Sequence, residues 1–372
     1  MVSFAAKLPK MIEYPKRLGW LVLWAVIVAG VFWVGSRYPQ LVAKSEAGHT
    51  ALTSMITLAP LFNIDATRPV WEQLGLATLN WLNANKIGMT FGVIFGAALL
   101  SVFQTLGKQK GRNGFLNSFF GMLMGAPLGV CVNCAAPIAK GMIAGGGRME
   151  TALATMISSP TLNMIVAVML FSLFPLELVL FKYGFTLLVI LVGVPLLVKW
   201  LQPDPAAILE NTVCELPSAG TCALPDNDLS MTSESWGAAF QQAGSLFGKN
   251  LWYIFKLTVP FMFLAAFLTA AIHQWLPLES LVQQTPTAAG VVLVSAIGIL
   301  LPLPMAFDVI LTHSFYEAGA PLAYVLPLLF GFGVYSVYPF LILWNTVSRP
   351  VAFGLLGLTF MLAVFSGWVM LL

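Results

Sequence analysis

Apolar stretches of membrane-spanning length follow one another along almost the whole chain, and they limit its fold more than any motif does. They cover residues 18–36, 87–106, 115–143, 149–174, 176–201, 251–275, 288–312, 319–344 and 350–372. A helix rises 1.5 Å per residue, so about 20 apolar residues cross the hydrocarbon core of a bilayer. Only 9% of the residues are charged and 59% are hydrophobic, whereas a soluble domain carries about a quarter charged residues. The expected fold is therefore an all-α polytopic membrane protein with about nine transmembrane helices, and the lipid bilayer is its first partner. The net charge of +3 includes no basic run, so nucleic acid is not expected as a partner. The sequence leaves room for homo-oligomerisation.

Lys7, Lys10, Lys16 and Arg17 precede the first stretch, and Lys108, Lys110 and Arg112 follow the second. Positive residues beside spans favour the cytoplasmic side, which predicts an amino terminus inside the bacterial cytoplasmic (inner) membrane. The first stretch is longer than a signal-peptide core and reads as a retained helix. Beyond it, Val70, Trp71, Leu74, Leu79 and Leu82 recur at helical spacing and predict a helix lying in the outer interface. One long hydrophilic stretch, 202–249, carries six acidic residues and a single lysine; the span count places it outside. Its Cys214 and Cys222 are then expected to form a disulfide.

At an offset of 174 (319 − 145), the stretches after residue 250 align with those before 201. Each half has a broken apolar span, a glycine turn and a second interrupted span. The organisation expected is an N-terminal helix with an outer interfacial segment (1–86), a first four-helix repeat (87–201), the hydrophilic loop (202–249) and a second four-helix repeat (250–372). In the nine-span count both repeats start from the same side, so they are expected to be parallel.

The segment GAPLGVCVNCAAPIAKGMIAGGGRMETALATMISSPTLN, residues 125–163, carries the chemistry. Proline removes a backbone donor and glycine loosens a helix. In lipid such breaks are tolerated only where protein encloses them, and paired broken spans point to a transporter's midplane site. Cys131 and Cys134, three apart, share a helix face and offer two thiolates to a soft ion. The bland alternative is a pair of small packing residues. Asn133, Pro137, Ser158, Ser159 and Asn163 complete the expected substrate site, the serines serving backbone repair equally well. Asp308 stands opposite Cys134 at the repeat offset, and an ionisable residue at membrane depth is functional by default. With His313 and Glu317 it is expected to couple transport to protons, with Lys140 as counter-charge. Lys182 and Lys256 read as snorkelling anchors. No HExxH, GxSxG, P-loop or dinucleotide fingerprint occurs, so neither an enzyme nor a cofactor is expected.

From Leu106 to Asn163 the sequence resembles the predicted permeases of the YraQ/ArsP type, which include organoarsenical exporters and others suggested to export copper or zinc. The shared pattern is a Pro-Leu lead-in, a cysteine pair, a following proline, a glycine turn and a Ser-Pro break. Here Asn133 occupies the second cysteine position, and the thiol is moved to Cys134. The segment LPLPMAFDVILTHSFYEAGAPLAYVLPLLFGFG resembles the second half of the family, and the likeness extends over 87–372. It implies a secondary transporter exporting a soft metal ion or trivalent metalloid compound. Two other functions stand beside it: a permease for another small solute with structural cysteines, and a membrane thiol oxidoreductase.

Overall fold

The computed structural model describes residues 14–39, 42, 61–65, 67–106, 113–201, 235–275, 285–303 and 306–371. Cys214, Cys222 and the charges Lys7, Lys10, Lys108, Lys110 and Arg112 lie outside the described residues. Every regular element described is helical. In chain order they are α1 (Pro15–Phe32), α2 (Val70–Leu106), α3 (Gly114–Gly125), α4 (Val132–Ala144), α5 (Met149–Thr161) and α6 (Met164–Leu173). There follow α7 (Leu176–Leu188), α8 (Val194–Leu201), α9 (Trp236–Trp275), α10 (Ala288–Leu300) and α11 (Phe307–Glu317). The last three are α12 (Leu322–Val334), α13 (Val337–Thr346) and α14 (Arg349–Val369). A π-turn, Trp33–Arg37, extends α1, and another, Val189–Gly193, joins α7 to α8.

Among the described residues five helices are long and apolar enough to cross a membrane, or seven if each bent pair counts as one span. The bent pairs are α5 with α6 (44°) and α12 with α13 (43°). Their outward faces are apolar, as a lipid-facing surface requires: Val26, Ile27 and Val31 on α1, Phe263 and Phe267 on α9, and Met361 and Phe365 on α14 are all exposed.

The expected third span, 115–143, is not one crossing. Three contacts fix its path. Thr151 Oγ1 donates to Asn117 O (3.1 Å), and Thr155 Oγ1 donates to Gly121 O (2.9 Å). A Cβ at Gly125 would meet Ser158 Oγ. Residue numbers rise together along both helices, so α3 and α5 run parallel. The glycine turn at 145–147 makes α4 and α5 antiparallel. Hence α3 and α4 fold back on each other as a hairpin whose tip is the segment 126–131. Gly129, with φ 58°, makes the reversal in the left-handed region that favours glycine. The expected seventh span, 288–312, divides in the same way. Gly290 lies against Tyr324 and Gly298 against Leu328, so α10 parallels α12 while α11 opposes it across the turn at Gly319 (φ 82°). Each hairpin arm has 11 to 13 residues, which is half a crossing. The excess of nine over seven comes from these two hairpins, because hydropathy registers apolar length and not chain direction.

Two other expectations change. The interfacial helix and the second span are a single 37-residue helix, α2, so the boundary at residue 87 falls inside an element. Asn250 Nδ2 donates to Ser101 Oγ (2.8 Å) near the end of α2 and the start of α9, while Leu74 clusters with Ala270 and Ala271 at the opposite ends. The long helices that open the two halves are therefore antiparallel, so the halves enter from opposite sides.

Glycines set the closest approaches. A Cβ at Gly92 would lie 2.2 Å from Cys134 O, one at Gly96 2.6 Å from Pro137 O, and one at Gly141 2.1 Å from Gly96 O. Backbone thus rests on backbone along the α2–α4 seam, as in membrane helix pairs with small residues at the contact. Gly96→Ala is expected to lower the stability of purified protein by at least about 1–3 kcal/mol through overpacking, read as a fall in its thermal midpoint. With the bent pair α5–α6 counted as one span, four candidate spans, in place of five, precede Leu201. A topology reporter inserted after Leu201 is therefore expected on the same side as one fused to the amino terminus; opposite signals would restore the continuous third span.

Candidate functional site at the meeting of two hairpin tips

Cys131 is the N-cap of α4, and its sulfur accepts from the Cys134 N–H at 3.3 Å. That bond holds both side chains on the same side of the helix start, with their Sγ atoms 2.6 Å apart. Both are buried free cysteines. Asn85 Oδ1, on α2, is 4.0 Å from Cys131 Sγ. Asn133 points to the other half of the chain: its Nδ2 donates to Leu303 O (3.4 Å), and its Oδ1 accepts from Ser336 Oγ (2.7 Å). Leu303 belongs to the tip of the second hairpin and Ser336 to the break between α12 and α13. Trp81 Nε1, from α2, donates to Pro302 O at 2.9 Å and steadies the second tip. The two hairpins, coming from opposite sides, touch through Asn133.

Pro137 lies within α4 and removes the intrahelical donor that Asn133 O would have received. The serines and Asn163 serve the backbone. Ser159 Oγ receives the Val130 N–H (3.2 Å) and donates to Val130 O (3.3 Å), clamping the first tip. Ser158 Oγ donates to Thr155 O (3.4 Å) and packs on Gly125. Asn163 Nδ2 donates to Ser159 O (2.8 Å) and Pro160 O (2.9 Å), while its Oδ1 caps α6 at the Val166 N–H (3.0 Å). A break inside lipid leaves backbone groups that water cannot reach, and these three side chains satisfy them.

The acidic residues gather elsewhere. Asp308, in the first turn of α11, forms a buried ion pair with Lys182 of α7 at 3.1 Å. Lys182 is 1% exposed, so it is no snorkelling anchor. Lys140, the expected counter-charge, donates instead to Thr346 O at 2.6 Å and lies over the Tyr253 ring. It sits near the carbonyl end of α13, where a cation is favourable. His313 Nε2 is 3.8 Å from Glu317 Oε1 and stands edge-on to Phe174. Asp308–Lys182 and His313–Glu317 are separate pairs on one helix. The break between α12 and α13 relates Asp308 to the cysteine tip: a Cβ at Gly333 would meet Asp308 Oδ2 at 2.8 Å, and Ser336, one turn on, holds Asn133. Among the described residues no three or more His, Cys, Asp or Glu gather as metal ligands.

Sequence reasoning overlooked Ser336 and Arg37 and read Lys182 as a snorkelling anchor. Lys182 sits six residues into its span, deeper than an end anchor needs, which was a usable signal. Ser336 is the position 174 beyond Leu162, beside the first break. For Arg37 the sequence carried no signal, since only the π-turn directs it inward; it is 6% exposed, and its Cδ would lie 3.6 Å from a Cβ at Gly129. Trp33, in the same turn, donates its Nε1–H to Pro127 O at 2.5 Å. The end of α1 thus grips the first tip from outside.

Helices that cross in bent pairs, with half-length hairpins meeting polar side chains inside the bundle, define a polytopic membrane permease. The chain belongs to the ArsP_1 family of predicted permeases, whose model matches residues 90–372. It is 27% identical over 334 residues to the UPF0718 protein YraQ of Escherichia coli (strain K12), covering 89% of this chain and 88% of the relative. No solved structure matches the chain. α1 and the start of α2 precede the family match.

Truncating one member of a buried ion pair strands the other charge, which costs about 3–5 kcal/mol. Lys182→Met and Asp308→Leu are each expected to reduce stability by that order, and the double variant by clearly less than their sum. Additive losses in a double-mutant cycle on purified protein would show that the two side chains do not act as a pair.

Proposed function

We propose that the protein is a secondary transporter of the cytoplasmic (inner) membrane, amino terminus inside, exporting a soft metal ion or trivalent metalloid compound through a site built on Cys131 and Cys134. One observation carries this reading: two buried thiols stand side by side at a hairpin tip within the bundle, where the halves of the chain meet. Thiolates suit soft ions, and binding displaces their protons. The ArsP_1 membership supports transport as the general activity. Asn133 is the link through which the tip senses the second half. Ser158, Ser159, Asn163 and Pro137 hold the broken backbone in the shape the site needs.

We further infer two inverted repeats. The starts of α3, α4, α5, α6 and α7, shifted by 174, fall within one residue of the starts of α10, α11, α12, α13 and α14. With α2 and α9 antiparallel, the relation fits a pseudo-two-fold axis in the membrane plane, the arrangement that lets one half rock against the other around a midplane site. Asp308 with Lys182 then supplies the proton-responsive element: protonating the carboxylate releases the lysine and loosens α11 from α7. His313 and Glu317 lie further along α11 toward its outer end and give the proton a route.

Uptake into inverted vesicles, followed with Ag(I), Cd(II) and a trivalent arsenical at two imposed pH gradients, tests the assignment. Cys131→Ser and Cys134→Ser are each expected to lower the rate at least tenfold, while Asp308→Asn keeps binding and loses the response to the gradient. Parental transport by the double serine variant would leave the cysteines as packing residues in a permease for some other small solute.

A further inference from the structure

We propose that Arg37 is a selectivity residue of the Cys131/Cys134 site, whose guanidinium penalises a second positive charge on the bound ion so that a monovalent soft cation is taken over a divalent one. The proposal rests on the dithiol reading above and adds to it the charge of the substrate. It starts from position. Arg37 leaves the lipid-facing helix α1 at the π-turn Trp33–Arg37 and is buried at 6% exposure. Its aliphatic stem passes Gly129 of the tip, its guanidinium lies over the Phe32 ring at 4.5 Å, and Phe32 in turn stacks on Phe91 of α2. A Cβ at Gly88 would meet Cys134 Sγ at 2.8 Å and Arg37 Nη2 at 3.7 Å. The absence of a side chain at Gly88 is what lets thiol and guanidinium share this space. Trp33, bonded to Pro127 O, holds the turn against the tip, so the charge is fixed relative to the sulfurs.

The chemistry follows from charge. Arginine stays protonated in proteins. Whatever else the guanidinium touches, its field acts on a bound ion in proportion to the ion's own charge. Two thiolates with a monovalent ion keep one net negative charge, which the guanidinium stabilises. Two thiolates with a divalent ion are already neutral, and the second unit of metal charge meets the arginine that shares the space at Gly88 with Cys134 Sγ. Over about 6–12 Å, with an effective dielectric near 20, one unit of charge alters binding by about ten- to a hundredfold. Two sulfur donors with no third ligand among the described residues also suit an ion content with two soft ligands. A purely structural Arg37, anchoring α1, would change the affinity of both ions alike. The ratio of affinities separates the two roles.

The experiment is equilibrium binding of Ag(I) and Cd(II) to the reduced, purified full-length chain, with dithiothreitol as a free-dithiol reference. The wild type is expected to favour Ag(I) over Cd(II) more strongly than dithiothreitol does. Arg37→Gln should lower the Ag(I)/Cd(II) affinity ratio about ten- to a hundredfold, and Arg37→Lys should largely restore it. An unchanged ratio in Arg37→Gln overturns the proposal. If that variant does not fold, a wild-type ratio no higher than that of dithiothreitol overturns it equally. Unaltered binding of both ions by the Cys131→Ser/Cys134→Ser variant is a different failure, which removes the dithiol site itself and not only its charge preference.

Discussion

Broken backbone inside a bilayer has to be closed by the protein itself, and most of this structure can be traced to that requirement. Each unsatisfied peptide group in hydrocarbon costs several kcal/mol, yet the chain turns back at two hairpin tips and interrupts two crossing helices. The closure is carried by a few side chains. Ser159 bonds both backbone groups of Val130, Asn163 covers two carbonyls and caps α6, and Trp81 and Asn133 reach the carbonyls of the second tip. These residues make irregular backbone tolerable inside the bundle. The same economy explains why polar residues chosen as ligands from the sequence turn out to bond backbone.

Close packing makes the closure possible. At Gly92, Gly96 and Gly141 a Cβ would collide with the backbone of the facing helix, so α2 and α4 approach as closely as two helices can. Gly121 and Gly125 do the same between α3 and α5. A hairpin of half-length arms has little apolar area of its own to bury, and without a hydrophobic drive inside lipid its hold depends on such intimate contact. The exterior follows the opposite rule: exposed Val, Phe and Met side chains on α1, α9 and α14 meet lipid and specify little.

Charge inside the bundle is sparse and local. Asp308 meets Lys182, Lys140 meets a helix's terminal carbonyl, and Arg37 meets the dithiol tip. None of these partners is near in sequence; Lys182 and Asp308 are 126 residues apart. In a medium that screens poorly, such buried charges interact strongly with the groups placed beside them. The family's shared region provides the tip, whereas the arginine beside it comes from α1, ahead of residue 90.

The class of fold was legible because a chain with 9% charge has no other way to satisfy its peptides than long helices in lipid. The breaks were legible too, since prolines and glycines mark helix ends wherever they fall. Direction was not legible. Hydropathy is the same for a stretch that crosses and for one that enters and returns, so residues 115–143 and 288–312 each read as a span. Sidedness inferred by counting spans inherited that ambiguity. Partners were equally hidden: nothing local to Lys182 names Asp308, and nothing local to Arg37 directs it to Cys134. The sequence by itself determined the helical class and the breaks, because each depends on local propensity or on transfer from water. The tertiary structure alone decided which way each half-helix runs and which charge faces which, because both depend on contacts between segments distant in sequence, from 34 residues for Thr155 and Gly121 to 126 for Lys182 and Asp308.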